Sequence, residues 1–172
     1  MLNIRPAAPA DVPAILDLIR ALAEYEREPQ AAIATRSDLL RDGFGPTPRF
    51  RCLLAELAPP ASPQSTSGAP NPAGFALYFY NYSTWRGHAG VYIEDLFVYP
   101  QFRNRGIGKA LLAQVAAVAV AEGCPRVEWA VLNWNRLAID FYDSIGAQPM
   151  SEWTTMRLSG AALTRLGRPQ RP

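Results

Sequence analysis

Val98-Tyr-Pro-Gln-Phe-Arg-Asn-Arg-Gly-Ile-Gly-Lys109 brings two glycines and three cations together where one hydropathy pattern gives way to another. The apolar run Val91 to Tyr99 has strand character and stops at Pro100, and a helical pattern begins near Gly106. A strand-to-helix turn of this composition suits an anion. The first N–H groups of a helix have no intrahelical partner and carry partial positive charge, glycine lets a phosphate approach bare backbone, and Arg103, Arg105 and Lys109 add formal charge. The alternative is a plain tight turn with solvated cations. Spacing removes two phosphate loops: a Walker loop needs glycine where Arg103 stands, and the dinucleotide fingerprint needs a third glycine at Leu111. What remains is an Arg-x-x-Gly-x-Gly phrase running from Arg103 through Asn104, Arg105, Gly106 and Ile107 to Gly108.

Two further groups could do chemistry. Glu94 and Asp95 are adjacent in an otherwise apolar strand, so alternation sends them to opposite faces and one of them must be paired or used. A salt bridge to a helix is the other account of such a pair. Tyr142 stands beside Phe141 on the apolar stripe of a helix opened by Asn135, which reads as core packing behind a good cap residue. The only histidine, His88, lies in a turn-like Arg-Gly-His-Ala-Gly context that does not suit a hydrolase triad.

Composition narrows the field. Seventeen basic and fifteen acidic residues leave a charge of +2 on 172 residues, too balanced for a nucleic-acid or membrane-surface protein, and a 49% hydrophobic fraction suits one globular domain spanning 1–172. Cys52 and Cys124 form neither a disulfide framework nor a zinc pattern, so no metal is expected. The N-terminus lacks signal-peptide regions and no apolar run is long enough to span a membrane, which points to the cytoplasm.

The elements that must position these residues follow from periodicity. Leu2 to Arg5 is a strand closed by Pro6, and Asp11 is placed to cap a helix ending near Tyr25. Thr35 and Asp38 form a capping box for a second helix stopped by Gly43 and Gly45. Phe50–Leu57, Phe75–Tyr82 and Val91–Tyr99 read as an antiparallel meander, with the proline-rich stretch 58–72 as a mobile hairpin loop. A helix from Gly106 to Glu122 leads to a strand Arg126–Leu132, parallel to Val91–Tyr99. Asn135–Ile145 is helical, Glu152–Leu158 a final strand, Ser159–Leu166 a helical turn, and 167–172 a frayed tail.

The phrase Arg103–Gly108 resembles the acyl-CoA pyrophosphate loop of the GNAT N-acetyltransferase family. The resemblance extends through Leu22-Ala-Glu-Tyr-Glu26, Asp38-Leu-Leu-Arg-Asp-Gly-Phe-Gly45, Tyr92-Ile-Glu-Asp-Leu-Phe-Val98, Ala130-Val-Leu-Asn-Trp-Asn135, Ala138-Ile-Asp-Phe-Tyr142 and Gly146-Ala-Gln148. These phrases are similar to the spermidine/spermine (diamine) and thialysine acetyltransferase branch. The resemblance implies an α/β fold with a mixed, mostly antiparallel sheet, a central splayed parallel strand pair and flanking helices. It also implies acetyl-CoA as co-substrate, a small-molecule amine as acceptor, a homodimer, and neither nucleic acid nor membrane as partner.

Roles follow from the same likeness. The acceptor amine must lose its proton, the oxyanion must meet donors, and the departing thiolate must be protonated. The resemblance gives the first task to Glu94, through water, and the last to Tyr142. Asn135 would touch the cofactor arm, residues 103–109 would hold the pyrophosphate, and backbone N–H groups near Leu96, Phe97 and Val98 would meet the oxyanion. Tyr25, Glu26, Trp85, Glu94 and Asp95 would line the acceptor pocket. Relatives carry Tyr-Asp-Pro-Trp where this chain has Tyr82-Ser-Thr-Trp85, so one acid that could attract a second ammonium is missing. With Arg86 nearby as a carboxylate partner, a short amine or lysine-like amino acid is expected to be preferred over spermidine. A non-catalytic acyl-CoA-binding module and a protein-lysine acetyltransferase are the alternatives.

Overall fold

The computed structural model describes residues 1–58 and 71–168. They fall into two compact units, Met1–Ala130 and Val131–Pro172. The first unit carries strands β1 (Leu2–Pro6), β2 (Arg51–Leu57), β3 (Asn71–Ser83), β4 (His88–Val98) and β5 (Val127–Trp129), with helices α1 (Val12–Tyr25), α2 (Arg36–Phe44) and α3 (Ile107–Ala121). The second carries helices α4 (Arg136–Ser144) and α5 (Gly160–Leu166).

The strands form one five-stranded sheet in the order β1-β2-β3-β4-β5. Neighbours up to β4 are antiparallel and β5 is parallel to β4, so the sheet is mixed and mostly antiparallel, flanked by helices. The β3–β4 hairpin closes where the Gly87 N–H donates to the Ser83 carbonyl at 2.8 Å, with Gly87 at φ +65°, a value glycine adopts without strain. The β4–β5 connection is a helical crossover, as a parallel pair requires. The expected strand Arg126–Leu132 is shorter, and its pairing stops at Ile93 opposite Trp129 while β4 runs on to Val98. Ladder pairing on that edge of β4 thus ends at Ile93, and among the described residues the pair lies at the sheet edge, not its centre.

Cys52, Leu54, Phe75, Leu77 and Phe97 pack with Val12, Ile15 and Leu18 of α1 into one core. The alternating residues Leu53, Ala55 and Ala76 are just as buried, and so are Ile107, Leu111 and Val115 of α3. Strand alternation thus puts a buried set on each face, the arrangement of a sheet covered on both sides.

Several sequence expectations change. Asp11 does not cap α1 with its side chain; its carboxylate accepts from both Nη atoms of Arg5 (2.7 and 2.9 Å) and from the Ala8 N–H (2.7 Å). Thr35 does cap α2, accepting from the Asp38 N–H, while Asp38 accepts from the Thr35 N–H at 3.0 Å. Strand β3 takes in Asn71 and Pro72, because a bulge beside Ala55 and Glu56 leaves room for a proline that cannot donate. The rest of the predicted loop, 59–70, lies outside the described residues, as does the tail from 169. Residues Glu152–Leu158 form no strand: the described part of the second unit holds no other strand, and an unpaired one leaves its backbone groups unsatisfied.

Glu56, only 4% exposed, joins β1 to β2 by accepting from Arg5 Nη2 at 2.6 Å and Nε at 3.1 Å, and Arg5 continues to Asp11. Replacing Glu56 by Ala leaves Arg5 without its buried partner. A loss of about 2–4 kcal/mol in urea-measured stability is expected; a loss below about 0.5 kcal/mol would show that the Arg5–Asp11 pair suffices.

Candidate active site

The turn after β4 is shaped by backbone geometry. A short 3₁₀ turn, Pro100–Phe102, is followed by Asn104 at φ +59° and Gly106 at φ +74°, both left-handed. Asparagine tolerates that region and glycine suits it. Gly106 is the N-cap of α3 and supplies no capping side chain, so the first N–H groups of this fifteen-residue helix, starting at Ile107 and Gly108, are left to a ligand or to water. A Cβ on Gly106 would meet nothing within 4 Å, and one on Gly108 only Val98 Cγ2 at 3.9 Å. The space in front of Gly108 is open to an approaching group. Uncapped N–H groups, open space and the exposed cations Arg105 and Lys109 fit a pyrophosphate.

Arg103 is engaged differently. Its Nε donates to the Val98 carbonyl at 3.0 Å, and its guanidinium carbon sits 4.3 Å from the Tyr25 ring centroid and 5.6 Å from that of Phe97. Of the three cations in the loop, this one is tied to β4 and α1, whereas Arg105 lies 5.7 Å from the ring centroid of its near neighbour Phe102.

Three acids gather where β4 meets the end of α1. Opposite β3 the register jumps from Ile93–Tyr78 to Asp95–Leu77, so Glu94 is the extra residue of a β-bulge. The bulge disturbs the alternation expected of Glu94 and Asp95: Glu94 is exposed and Asp95 half-buried. Burial first, then the charges of Glu94 and Glu26, push the Asp95 carboxyl up to about 7. Burial also raises Glu26, which follows the last residue of α1. Cys52 is pushed up to about 12 by burial and then by Asp95, which leaves its thiol protonated and rules it out as a nucleophile at neutral pH.

Leu96, Phe97 and Val98 stay in regular register with Ala76, Phe75 and Gly74. The departure from pairing expected there occurs along the other edge of β4, beyond the end of β5. Trp85 is at the hairpin tip, 88% exposed, and Ser83 Oγ accepts from the Arg86 N–H within the same tip. The tip lies roughly 20 Å along β4 from Glu94, so Trp85, Ser83 and Arg86 are not gathered with the acids.

In the second unit, Asn135 caps α4, its Oδ1 accepting from the Ala138 N–H at 3.3 Å. Tyr142 is half-buried with its ring 5.2 Å from that of Phe141.

Sequence reasoning missed a clamp at the β4–β5 pair. Arg126 donates to Glu128 (2.7 Å) and to Asn81 on β3 (3.1 Å), and Asn81 donates to Glu128 (2.9 Å). A Cβ on Gly90 would stand 2.7 Å from Asn81 Oδ1 and 2.9 Å from Arg126 Nε. The glycine inside an apolar strand was the available signal.

A model described as the acetyltransferase (GNAT) family matches residues 18–147. The chain is 42% identical to a thialysine N-epsilon-acetyltransferase of Bos taurus over 95% of both chains. It is 36% identical to an L-ornithine N5-acetyltransferase of Arabidopsis thaliana over 94% of this chain and 86% of that protein. A human spermidine/spermine N(1)-acetyltransferase-like protein is 37% identical over 87% of this chain and 21% of its own length. Among solved structures, a Vibrio cholerae integron cassette protein superposes with a TM-score of 0.77 at 24% identity, covering 98% of each chain. An aminoglycoside acetyltransferase from an uncultured soil sample gives 0.69 at 20% identity, covering 93% of this chain and 95% of that one. These two are alike in fold.

The raised Asp95 carboxyl links stability to pH. Its folded value lies near 7 and its unfolded value near ~3.9, so the folded chain holds a proton that the unfolded chain releases. The associated stability is complete below ~4 and is lost as pH rises through about 7. Asp95→Asn should match the wild type below about pH 4 and exceed it at pH 8, on the order of 1–2 kcal/mol after allowance for solvent screening. Identical pH profiles in chemical denaturation would show that Asp95 ionises freely in the fold.

Proposed function

The chain belongs to the acetyltransferase (GNAT) family and is an N-acetyltransferase, and we propose that it moves acetyl from acetyl-CoA by direct attack onto a primary amine of a lysine- or ornithine-like amino acid or a short diamine. The observation that carries the acceptor class is the acid group Glu26, Glu94 and Asp95, in which burial and then the two other acids raise the Asp95 carboxyl. A cluster of acids of this kind suits an ammonium ion as partner.

The acids are close enough to perturb one another, so they serve one end of an acceptor. A long polyamine spreads its charges, and the hairpin carrying Ser83 offers no further acid. This argues for a short acceptor, and relatives named for thialysine and ornithine support it.

In the proposed reaction the free amine attacks the thioester carbonyl carbon, a C–N bond forms, and the C–S bond breaks as the tetrahedral intermediate collapses. Glu94, exposed at the bulge, takes the amine proton through water. The Tyr142 hydroxyl returns a proton to the departing thiolate, and Asn135 contacts the cofactor arm; both roles rest on the family likeness of 135–142. The uncapped turn at Gly106–Lys109 holds the pyrophosphate. The cytoplasmic location and the homodimer are carried in the same proposal by the family likeness. No described helix is long and apolar enough to cross a membrane.

Thiol release from acetyl-CoA by the purified protein, followed with thialysine, lysine, ornithine, putrescine and spermidine, tests the reading. A higher kcat/KM for the amino acids or putrescine than for spermidine is expected. A preference of tenfold or more for spermidine would overturn the charge argument, and CoA binding without release on any amine would leave only a binding module. Tyr142→Phe keeps the ring and removes the hydroxyl, so kcat should fall by ~10²–10⁴ with little change in acceptor KM. Wild-type turnover with chemistry rate-limiting would return Tyr142 to a packing role.

A further inference from the structure

The loop's first cation is the residue whose observed position departs most from its expected use. A phosphate ligand should point its guanidinium into the open space before Gly108, where Arg105 and Lys109 are exposed. Arg103 instead turns back. Its Nε–H is committed to the Val98 carbonyl, the last residue of β4, and its planar face lies over Tyr25, the last residue of α1. Phe97 completes the stack, 6.4 Å from Tyr25 and 5.6 Å from Tyr99 between ring centroids.

We propose that Arg103 is a positioning residue that ties the end of α1, and with it Tyr25 and Glu26, to the turn that receives the acyl donor. This rests on the functional reading above. One guanidinium, carried by the loop, contacts two other pieces of chain: the strand end and the helix end that precedes an acid of the proposed acceptor site. A lysine could supply charge but neither the fixed Nε–H nor the flat face, and glutamine could supply a donor but no cation. When donor binding orders the loop, it also restricts Tyr25 and Glu26, so donor and acceptor strengthen each other's binding by the same factor.

The test separates this role from phosphate binding. Arg103→Lys and Arg103→Gln are each titrated with CoA by calorimetry and assayed for acceptor KM and kcat, with Gly108→Asp as the variant that should lose CoA affinity. CoA affinity within about threefold of wild type, an acceptor KM raised roughly five- to twentyfold, and kcat changed less than threefold are expected of the Arg103 variants. Tyr25→Leu should raise acceptor KM as well, and combining it with Arg103→Lys should add little, because both remove one contact. A tenfold loss of CoA affinity with acceptor KM unchanged would make Arg103 a phosphate ligand, and additive effects of the two substitutions would remove the coupling. Hydrogen exchange gives a readout independent of turnover: Arg103→Gln should speed exchange in both 22–27 and 103–108. Wild-type protein that releases no thiol on any amine would defeat the functional reading alone, while unchanged exchange at 22–27 would defeat the Arg103 proposal alone.

Discussion

A strand can lie parallel to its predecessor only if the chain crosses back over the sheet, and much of this molecule depends on that constraint. Because α3 carries the chain back, it must begin where β4 ends, and its uncapped N-terminus arrives at the carboxyl end of that strand. The same crossover delivers a strand of just three residues, whose own ladder is too short to fix it firmly. Arg126, Glu128 and Asn81 supply the missing hold, with Arg126 reaching past Gly90 to β3. The hold lies at the paired end, and that edge of β4 is left without a ladder beyond Ile93. Free edge and clamp are thus two consequences of one short parallel strand.

The acids are arranged by a different device. A regular strand would point Glu94 and Asp95 to opposite faces, and one would then meet a packed layer. The bulge between Ile93 and Asp95 inserts Glu94 as an unpaired residue, leaving it exposed while Asp95 remains half-buried near Cys52 and Glu26. The cost is electrostatic: a carboxyl short of solvent and near other carboxyls keeps its proton to about pH 7. A fold selected for stability alone would be better served by a neutral side chain at this position. This strain is the feature on which the proposed cationic acceptor rests.

How far the sequence disclosed this varied with the physics. The turn at Arg103–Gly108 was legible because its demands are local: left-handed backbone at Gly106, a helix start at Ile107, a strand stop at Pro100. The meander was legible from alternation, and the Thr35–Asp38 box from spacing. Asp11 was misjudged because its partner, Arg5, lies on a neighbouring strand and competes with the helix for the carboxylate. The bulge at Glu94 depends on the register against β3, which periodicity in β4 alone does not contain. The strand expected at Glu152–Leu158 had the composition of a strand without a described neighbour in its unit. Arg103 shows the limit most clearly: its motif position was recognised, but its contact with Tyr25 joins residues far apart in sequence.

The donor and acceptor sides differ in how their charge is made, and that difference shapes their response to solution conditions. On the proposed reading the donor turn relies on backbone N–H groups, the helix dipole and the exposed cations Arg105 and Lys109. The acceptor side relies on carboxyls, one of which titrates near neutrality. Raising the pH through 7 charges Asp95 and would strengthen the attraction for the proposed ammonium acceptor. A bound ammonium acts in the same direction, because it favours the ionised carboxylate and draws the proton off Asp95. On the proposed reading, acceptor binding and proton release from Asp95 are thereby linked, and the contact of Arg103 with Tyr25 would pass part of that linkage to the donor turn.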